Sequence, residues 1–272
     1  MIKEISSLQN ELIKSIVQLQ EKSRTRKKEG SFIIEGQREI KLALEGSYRL
    51  KQLLFCEDII SKKELDELIA LCTDESPELI KISIQVYQKI AHRKTTEGIV
   101  AIAESKRLFL EDLELKNNCL ILIAEASEKP GNIGALLRTA DAANLDAVII
   151  ANPKTDFYNP NIIRSSVGCV FTNQIAQGST SDILDWLKHR QINIFTAALD
   201  KRSLPYHQMD YTSSSAIVVG TEATGLSDQW LENADQNIII PMQGKIDSLN
   251  VSVSAAIIIF EAERQRNFGT PE

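Results

Sequence analysis

The sequence predicts an α/β protein: a small α/β domain over residues 1–105, a charged linker over 106–117 and a mostly parallel, helix-covered sheet over 118–268. Two observations carry this. Short, wholly apolar runs of strand length alternate with segments whose apolar residues recur three and four positions apart, the pattern of strands buried on both faces beneath amphipathic helices. The strand runs also end in glycine, proline or a capping residue that opens the next helix, as in CLILIAEASEKPGNIG, Cys119 to Gly134.

Composition narrows the class. The chain has 272 residues and a net charge of −6. No apolar run approaches membrane length, and the opening MIKEISSLQN holds no signal core, so no membrane partner and a cytoplasmic location are expected. Cys56, Cys72, Cys119 and Cys169 are scattered, and His92, His189 and His207 stand alone. That spacing suits buried reduced thiols and no metal site. Residues 1–105 carry 17 basic and 17 acidic side chains, and residues 106–272 carry 14 and 20. Any contact with nucleic acid must therefore come from local patches rather than from a global field.

Taken in order, Ser6 and Gln9 have capping-box spacing and predict a helix with Leu8, Leu12, Ile16 and Leu19 on one face. Lys22, Arg24, Arg26, Lys27 and Lys28 fall within seven residues, either a solvated helix end or a phosphate-contacting patch; Arg93 and Lys94 form a second candidate. SFIIEG reads as a strand, QREIKLALEG as a helix ended by Gly46, LKQLLFC as a strand and SKKELDELIALC as a helix capped by Ser61. LIKIS, IQVYQKIA and GIVAIAE continue the alternation. In the second half, CLILIAEA, AVIIAN, INIFTAAL and AIVVGTEA read as strands. GNIGALLRTADAAN and Asn159 to Val167 read as helices, as does SDILDWLKHR, capped by Ser179, Thr180 or Ser181. Ile238, Ile239 and Ile240 form a strand that stops at Pro241. Asp247 or Ser248 then caps a last helix. Its Leu249, Val253, Ala256, Ile257 and Phe260 recur at helical spacing, while Val251, Ile258 and Ile259 fill other faces, which predicts a helix buried nearly all round. Arg264 and Arg266 suit its negative end.

Three stretches carry chemistry, since α/β proteins bind ligands where strands end and helices begin. In EKPGNIGALLRTADAAN, Asn132 is placed to cap a helix and Asn144 to end it in a left-handed conformation. Gly134 leaves the face above it open for Arg138, one turn on. In AIVVGTEATGLSD an apolar strand ends at Gly220, which permits close approach of a ligand; Glu222 follows in the turn, and Ser227 or Asp228 starts another helix. The third stretch is IIIPMQGKIDSLNVSVSAA, which taken alone reads as a core strand and a core helix joined by a polar turn. No phosphate-cradling G-x-x-x-x-G-K-[ST] or G-x-G-x-x-G occurs, which removes support for nucleotide hydrolysis and dinucleotide binding.

In order, spacing and content these stretches resemble the three motifs of the SpoU/TrmH family of RNA ribose 2′-O-methyltransferases, within the SPOUT superfamily. The resemblance covers Cys119 to Arg266, and IIRSSVG, with Arg164, resembles a segment the family carries between its first two motifs. More weakly, SFIIEGQREIKLAL resembles an N-terminal RNA-binding domain similar to a ribosomal protein. The chain departs from the pattern at Thr221, where Asn is usual, at Asp247, where Glu is usual, and at Ser254, where Ala is common.

The resemblance implies a parallel sheet closed by a deep trefoil knot. It implies S-adenosylmethionine held there by Gly220, Ile240, Met242 and Leu249, with Ala197 or Leu199 at the preceding strand end. It implies Asn132, Arg138, Glu222, Ser248 and Asn250 at the reaction centre, and a homodimer through the last helix. An arginine keeps its proton in proteins, so Arg138 is expected to stabilise the reacting oxygen rather than act as a base. RNA contacts are expected from Lys22, Arg24, Arg26, Lys27, Lys28 and Arg164. A separate N-terminal domain points to large-subunit rRNA rather than tRNA. The alternatives are a tRNA enzyme, a SPOUT enzyme acting on a base nitrogen, and a non-catalytic RNA- or ribosome-binding protein.

Overall fold

Strands and helices alternate from the start of the chain in the computed structural model, which describes residues 2–72, 76–92, 97–221 and 224–266. The first half contains β1 (Lys3–Ile5), α1 (Glu11–Glu21), α2 (Ser23–Glu29), β2 (Ser31–Glu35), α3 (Gln37–Glu45), β3 (Leu50–Phe55), α4 (Lys62–Ala70), β4 (Glu78–Ile82), α5 (Ile84–Ile90) and β5 (Ile99–Glu104). The second half contains β6 (Leu120–Glu125), α6 (Pro130–Ala142), β7 (Ala147–Ala151), α7 (Pro160–Ser165), β8 (Ile175–Gly178), α8 (Thr180–His189), β9 (Asn193–Ala197), β10 (Leu204–Pro205), β11 (Ser215–Val219), α9 (Asp228–Asn233), β12 (Gln236–Ile239) and α10 (Val251–Gln265). Strands β1, β8 and β10 were not expected from the sequence; each is too short and too mixed in polarity for a period to show.

Two units are present: Met1–Arg107 with Asp156–Thr172, and Leu108–Thr155 with Asn173–Glu272. Residues 156–172, expected within the second domain, therefore belong to the first unit.

In the first unit the sheet runs β1-β4-β3-β5-β2 and is mixed, with β3–β4 parallel and β2–β5 antiparallel. The predicted capping box at Ser6 gives way to Asn10, whose side chain accepts from the Leu12 amide at 2.9 Å, and Leu8 is exposed. Ser61 and Glu64 form a reciprocal capping box at the head of α4. The returning segment packs through aromatic rings: Phe32 stacks on Tyr158 with centroids 4.2 Å apart, and Phe171 meets Tyr48 edge-on at 5.1 Å.

One ion pair secures the same segment. Arg26 is 3% exposed and donates to both carboxylate oxygens of Asp156, at 3.0 and 2.7 Å. Its remaining guanidinium nitrogen donates to the Leu19 and Gln20 carbonyls, at 2.6 and 3.0 Å, which lie at the end of α1. This corrects the expectation for Arg26: its donors are satisfied inside the protein and cannot reach a phosphate. Lys22, Arg24, Lys27, Lys28 and Arg164 are exposed.

In the second unit the sheet order is β10-β12-β9-β11-β6-β7-β8, and all its pairings are parallel. Strands β6, β7 and β11 are buried at every position, which is why they read as unbroken apolar runs. Helix α10 packs on α6 and β11 through Val251, Ala255, Ile258, Ile259 and Ala262. It is not buried all round: Val253 and Phe260, placed by the sequence on the packed face, are 46% and 41% exposed.

The last turn of α10 is held twice. Arg266 donates to the carbonyls of Asn118, Cys119, Tyr211 and Ser213, closing the helix end onto the entrances of β6 and β11. Hydrogen bonds from Arg264, at 2.8 Å, hold the Glu261 carboxyl down to about 2 from an ordinary 4.5. A carboxyl depressed in the folded state contributes stability above its unfolded pKa and loses it as pH falls toward its folded one. Between pH 4.5 and 2, Glu261→Gln should therefore lose less thermal stability than wild type, a small effect because Arg264 is well exposed. Parallel melting curves for the two proteins across that window would contradict it.

Candidate active site

The carboxyl ends of β9, β11 and β12 open into a cavity of about 460 Å3 within the second unit. Ala197, Leu199, Gly220, Ile240, Met242 and Leu249, the expected cofactor residues, all line it, and so does Ser248. The walls are mainly aliphatic side chains and strand-end backbone, with Thr221, Thr224, Ser248, Ser254 and Asp247 as polar points. A largely apolar cleft of this size with few polar groups is the usual form of a small-molecule site.

Gly220 does something other than the sequence suggested. A Cβ there would overlap the Gly225 carbonyl group and lie 2.6 Å from the Leu226 nitrogen. The glycine admits the chain itself, which folds back to form one wall, and its own backbone lines the cavity. That return is pinned by paired bonds between the Thr221 and Gly225 backbones, at 3.3 and 3.0 Å, and by Thr221 Oγ1, which accepts from the Thr224 amide at 3.1 Å. Thr221, where the family pattern has Asn, is thus committed to shaping the turn. Glu222 lies outside the described residues, as do Arg93 and Lys94.

Next to the cavity is a polar pair. Asn250, two residues beyond Ser248, caps α10 with Oδ1, accepting from the Ser252 amide at 3.0 Å, while its Nδ2 donates to Asn132 Oδ1 at 3.2 Å. Neither Asp247 nor Ser248 is the cap; Ser248 Oγ donates to Asp247 Oδ1 at 3.2 Å. Asn132 is not a cap either, since α6 starts at Pro130 with Lys129 at the N-cap position. The Asn132 side chain instead meets the start of α10. Asn144 does end the helix region in the left-handed conformation, with φ 49°. Arg138 is exposed on α6, one turn beyond the buried Gly134. The fold brings Asn132, Asn250 and Ser248 together beside the cavity; Arg138 is on the same helix as Asn132, and no residue of α6 lines the cavity.

A residue the sequence reading passed over is Glu125, the last of β6. It is 6% exposed, and its carboxylate accepts from the Ser227 amide at 2.8 Å, Ser227 Oγ at 2.8 Å and Thr180 Oγ1 at 3.0 Å. The signal was present: a carboxylate closing a fully apolar strand is rarely buried without partners.

Comparison with known proteins agrees across both halves. Residues 119–260 match the SpoU rRNA Methylase family, and residues 10–101 match the MRM3-like substrate binding domain. The 23S rRNA (guanosine(2553)-2'-O)-methyltransferase RlmP of Bacillus subtilis (strain 168) is 28% identical, over 95% of this chain and 98% of its own. A crystal structure of an RNA 2'-O ribose methyltransferase is 38% identical, with TM-score 0.82, over 97% of this chain and 99% of the other. The AdoMet-bound rRNA methyltransferase from Sinorhizobium meliloti is 27% identical, with TM-score 0.89, over 97% of this chain and 98% of the other.

Proposed function

Because the chain belongs to the SpoU rRNA methylase family, we propose that it is an S-adenosylmethionine-dependent methyltransferase acting on a ribose 2′-hydroxyl of large-subunit rRNA. The observation that carries this reading is the cavity at the ends of β9, β11 and β12 with the Asn132–Asn250 pair beside it. Its size and mixed lining fit the cofactor, whose adenosine offers both apolar faces and hydrogen-bonding edges. When bound, the cofactor supplies an electrophilic methyl group.

The chain's own residues then have distinct tasks. Gly220, Ile240, Met242 and Leu249 hold the cofactor, with Ala197 and Leu199 at the mouth. Asn132 and Asn250 orient the target nucleotide, and Ser248 orders the loop ahead of α10. The fork of donors on Arg138 stabilises negative charge gathering on the 2′-oxygen as the proton leaves to phosphate or water. Holding two bound reactants in line supplies much of the rate, on the order of 7–11 kcal/mol in well-oriented systems.

Lys22, Arg24, Lys27, Lys28 and Arg164 would contact phosphate, which positions RNA without reading its sequence and makes binding salt-dependent. The separate substrate-binding domain and the nearly full-length match to a 23S rRNA enzyme support rRNA over tRNA. The trefoil knot expected of the C-terminal segment rests on membership of this family.

Purified protein with methyl-labelled cofactor should modify deproteinised 23S rRNA, and nucleoside analysis should recover a 2′-O-methyl ribose. Label in tRNA alone, or on a base nitrogen, would overturn the assignment. Gly220→Ala should weaken cofactor binding by more than about tenfold by calorimetry, since the added methyl forces the wall to shift; unchanged affinity would count against the cavity. We also infer a homodimer through the exposed Val253 and Phe260 face of α10. Light scattering should give twice the chain mass, and Phe260→Asp should return the monomer mass. A wild-type monomer at micromolar concentration would rule the dimer out.

A further inference from the structure

Gly220, Thr221, Thr224, Gly225 and Leu226 line one wall of the cavity. One end leaves β11, where Gly220 lets the chain close on itself. The other end runs into Ser227, the N-cap position of α9, whose side chain makes no capping bond to its own helix. Ser227 instead gives both its amide and its hydroxyl to Glu125, at 2.8 Å each. That carboxylate lies 102 residues earlier in the chain, at the end of β6. It takes a third bond from Thr180, the first residue of α8. Beyond Glu125 the chain turns through Ala126, held in the left-handed region at φ 48°, and reaches Asn132. Both oxygens of one buried carboxylate are thus spent fixing where the cavity wall ends, on the strand that leads to the reaction centre.

We propose that Glu125 is a positioning residue for the methyl-transfer reaction, setting the cofactor-binding turn through Ser227. The inference rests on the cavity being the S-adenosylmethionine site. Without the carboxylate, the Ser227 amide and hydroxyl lose their acceptor inside the protein, and the turn is released from β6 at its Leu226 end. Loss of a buried hydrogen-bond partner costs about 1–3 kcal/mol, which corresponds to roughly 5- to 150-fold in affinity when binding must restore the order. An amide can replace the carboxylate: Gln at this position offers its oxygen to the Ser227 amide and its NH2 group to the two hydroxyls.

The test uses the full-length protein. Calorimetry of wild type with S-adenosylmethionine first establishes that the cofactor binds, so failure there strikes the functional reading and not this inference. Glu125→Ala should then raise the KM for cofactor by about tenfold or more while the KM for 23S rRNA stays within twofold, and Glu125→Gln should restore it to within about threefold. Ser227→Ala and Thr180→Ala each remove one hydroxyl from the same carboxylate oxygen, but only Ser227 adjoins the turn. Ser227→Ala should raise the cofactor KM, Thr180→Ala should not, and Ser227→Ala should add nothing in the Glu125→Ala background. This pair decides the matter even if Glu125→Ala fails to fold. Equal effects of the two hydroxyl deletions, or an unchanged cofactor KM in folded Glu125→Ala, would reduce Glu125 to a structural residue and overturn the proposal.

Discussion

Arg138→Ala should lower the rate of methyl transfer by at least about 10²–10³-fold, the usual cost of removing a donor aimed at developing negative charge. Cofactor affinity should stay within a few-fold of wild type, because no residue of α6 lines the cavity. Stability should hardly change, since Arg138 is exposed and surface substitutions of this kind stay within about 0.5 kcal/mol. A kinetic loss therefore could not be put down to unfolding. Arg138→Lys should also be slow: an ammonium carries the charge but not the planar pair of donors. The measurement is single-turnover transfer with saturating cofactor and RNA. Near-wild-type rates in either variant would take Arg138 out of the mechanism.

The second large effect concerns stability. Arg26→Met should destabilise the first unit by about 3–5 kcal/mol, because it strands the Asp156 carboxylate, 11% exposed, without its counter-ion. It also removes the donors for the Leu19 and Gln20 carbonyls. Asp156→Asn should cost a comparable amount. The double variant should cost much less than the sum, since neither charge is then left alone. Urea unfolding of the four proteins gives the coupling. Additive losses, or a single-variant loss below about 1 kcal/mol, would show that the pair does not hold the segment.

Legibility in the sequence followed how local each cause is. Strands β6, β7 and β11 were plain because burial on both faces leaves an unbroken apolar run. Helix α4 was plain because its cap and its capping glutamate lie three residues apart. The cap of α10 was not, because Asp247, Ser248 and Asn250 are all good caps. What singles out Asn250 is its bond to Asn132, 118 residues away. Arg26 read as one more cation in a basic run because its partner stands 130 residues downstream. Gly220 was marked as a place of close approach, and on its Cβ side the approaching group is its own chain, which no local pattern shows. The exposed side of α10 looked like core because Val253 and Phe260 are apolar and recur at helical spacing, a signal that does not say whether a face is covered.

The return of residues 156–172 to the first unit bears on how the protein is made. Phe32 and Tyr48 are synthesised early, but the rings they pack against, Tyr158 and Phe171, come after β6, α6 and β7 have been translated. At about 5–20 residues per second, the 65 residues from Arg107 to Thr172 take roughly 3–13 seconds. Until residue 156 is made Arg26 has no Asp156, and until residue 171 is made the aromatic cluster lacks its last ring. Nascent chains stalled at residue 110 should accordingly be cut readily by protease in β2 and α3, whereas chains stalled well beyond 172 should be protected there. The N-terminal unit thus begins the gene but cannot be completed until residue 172 has been made, after β6 and β7 of the second unit's sheet have already been translated.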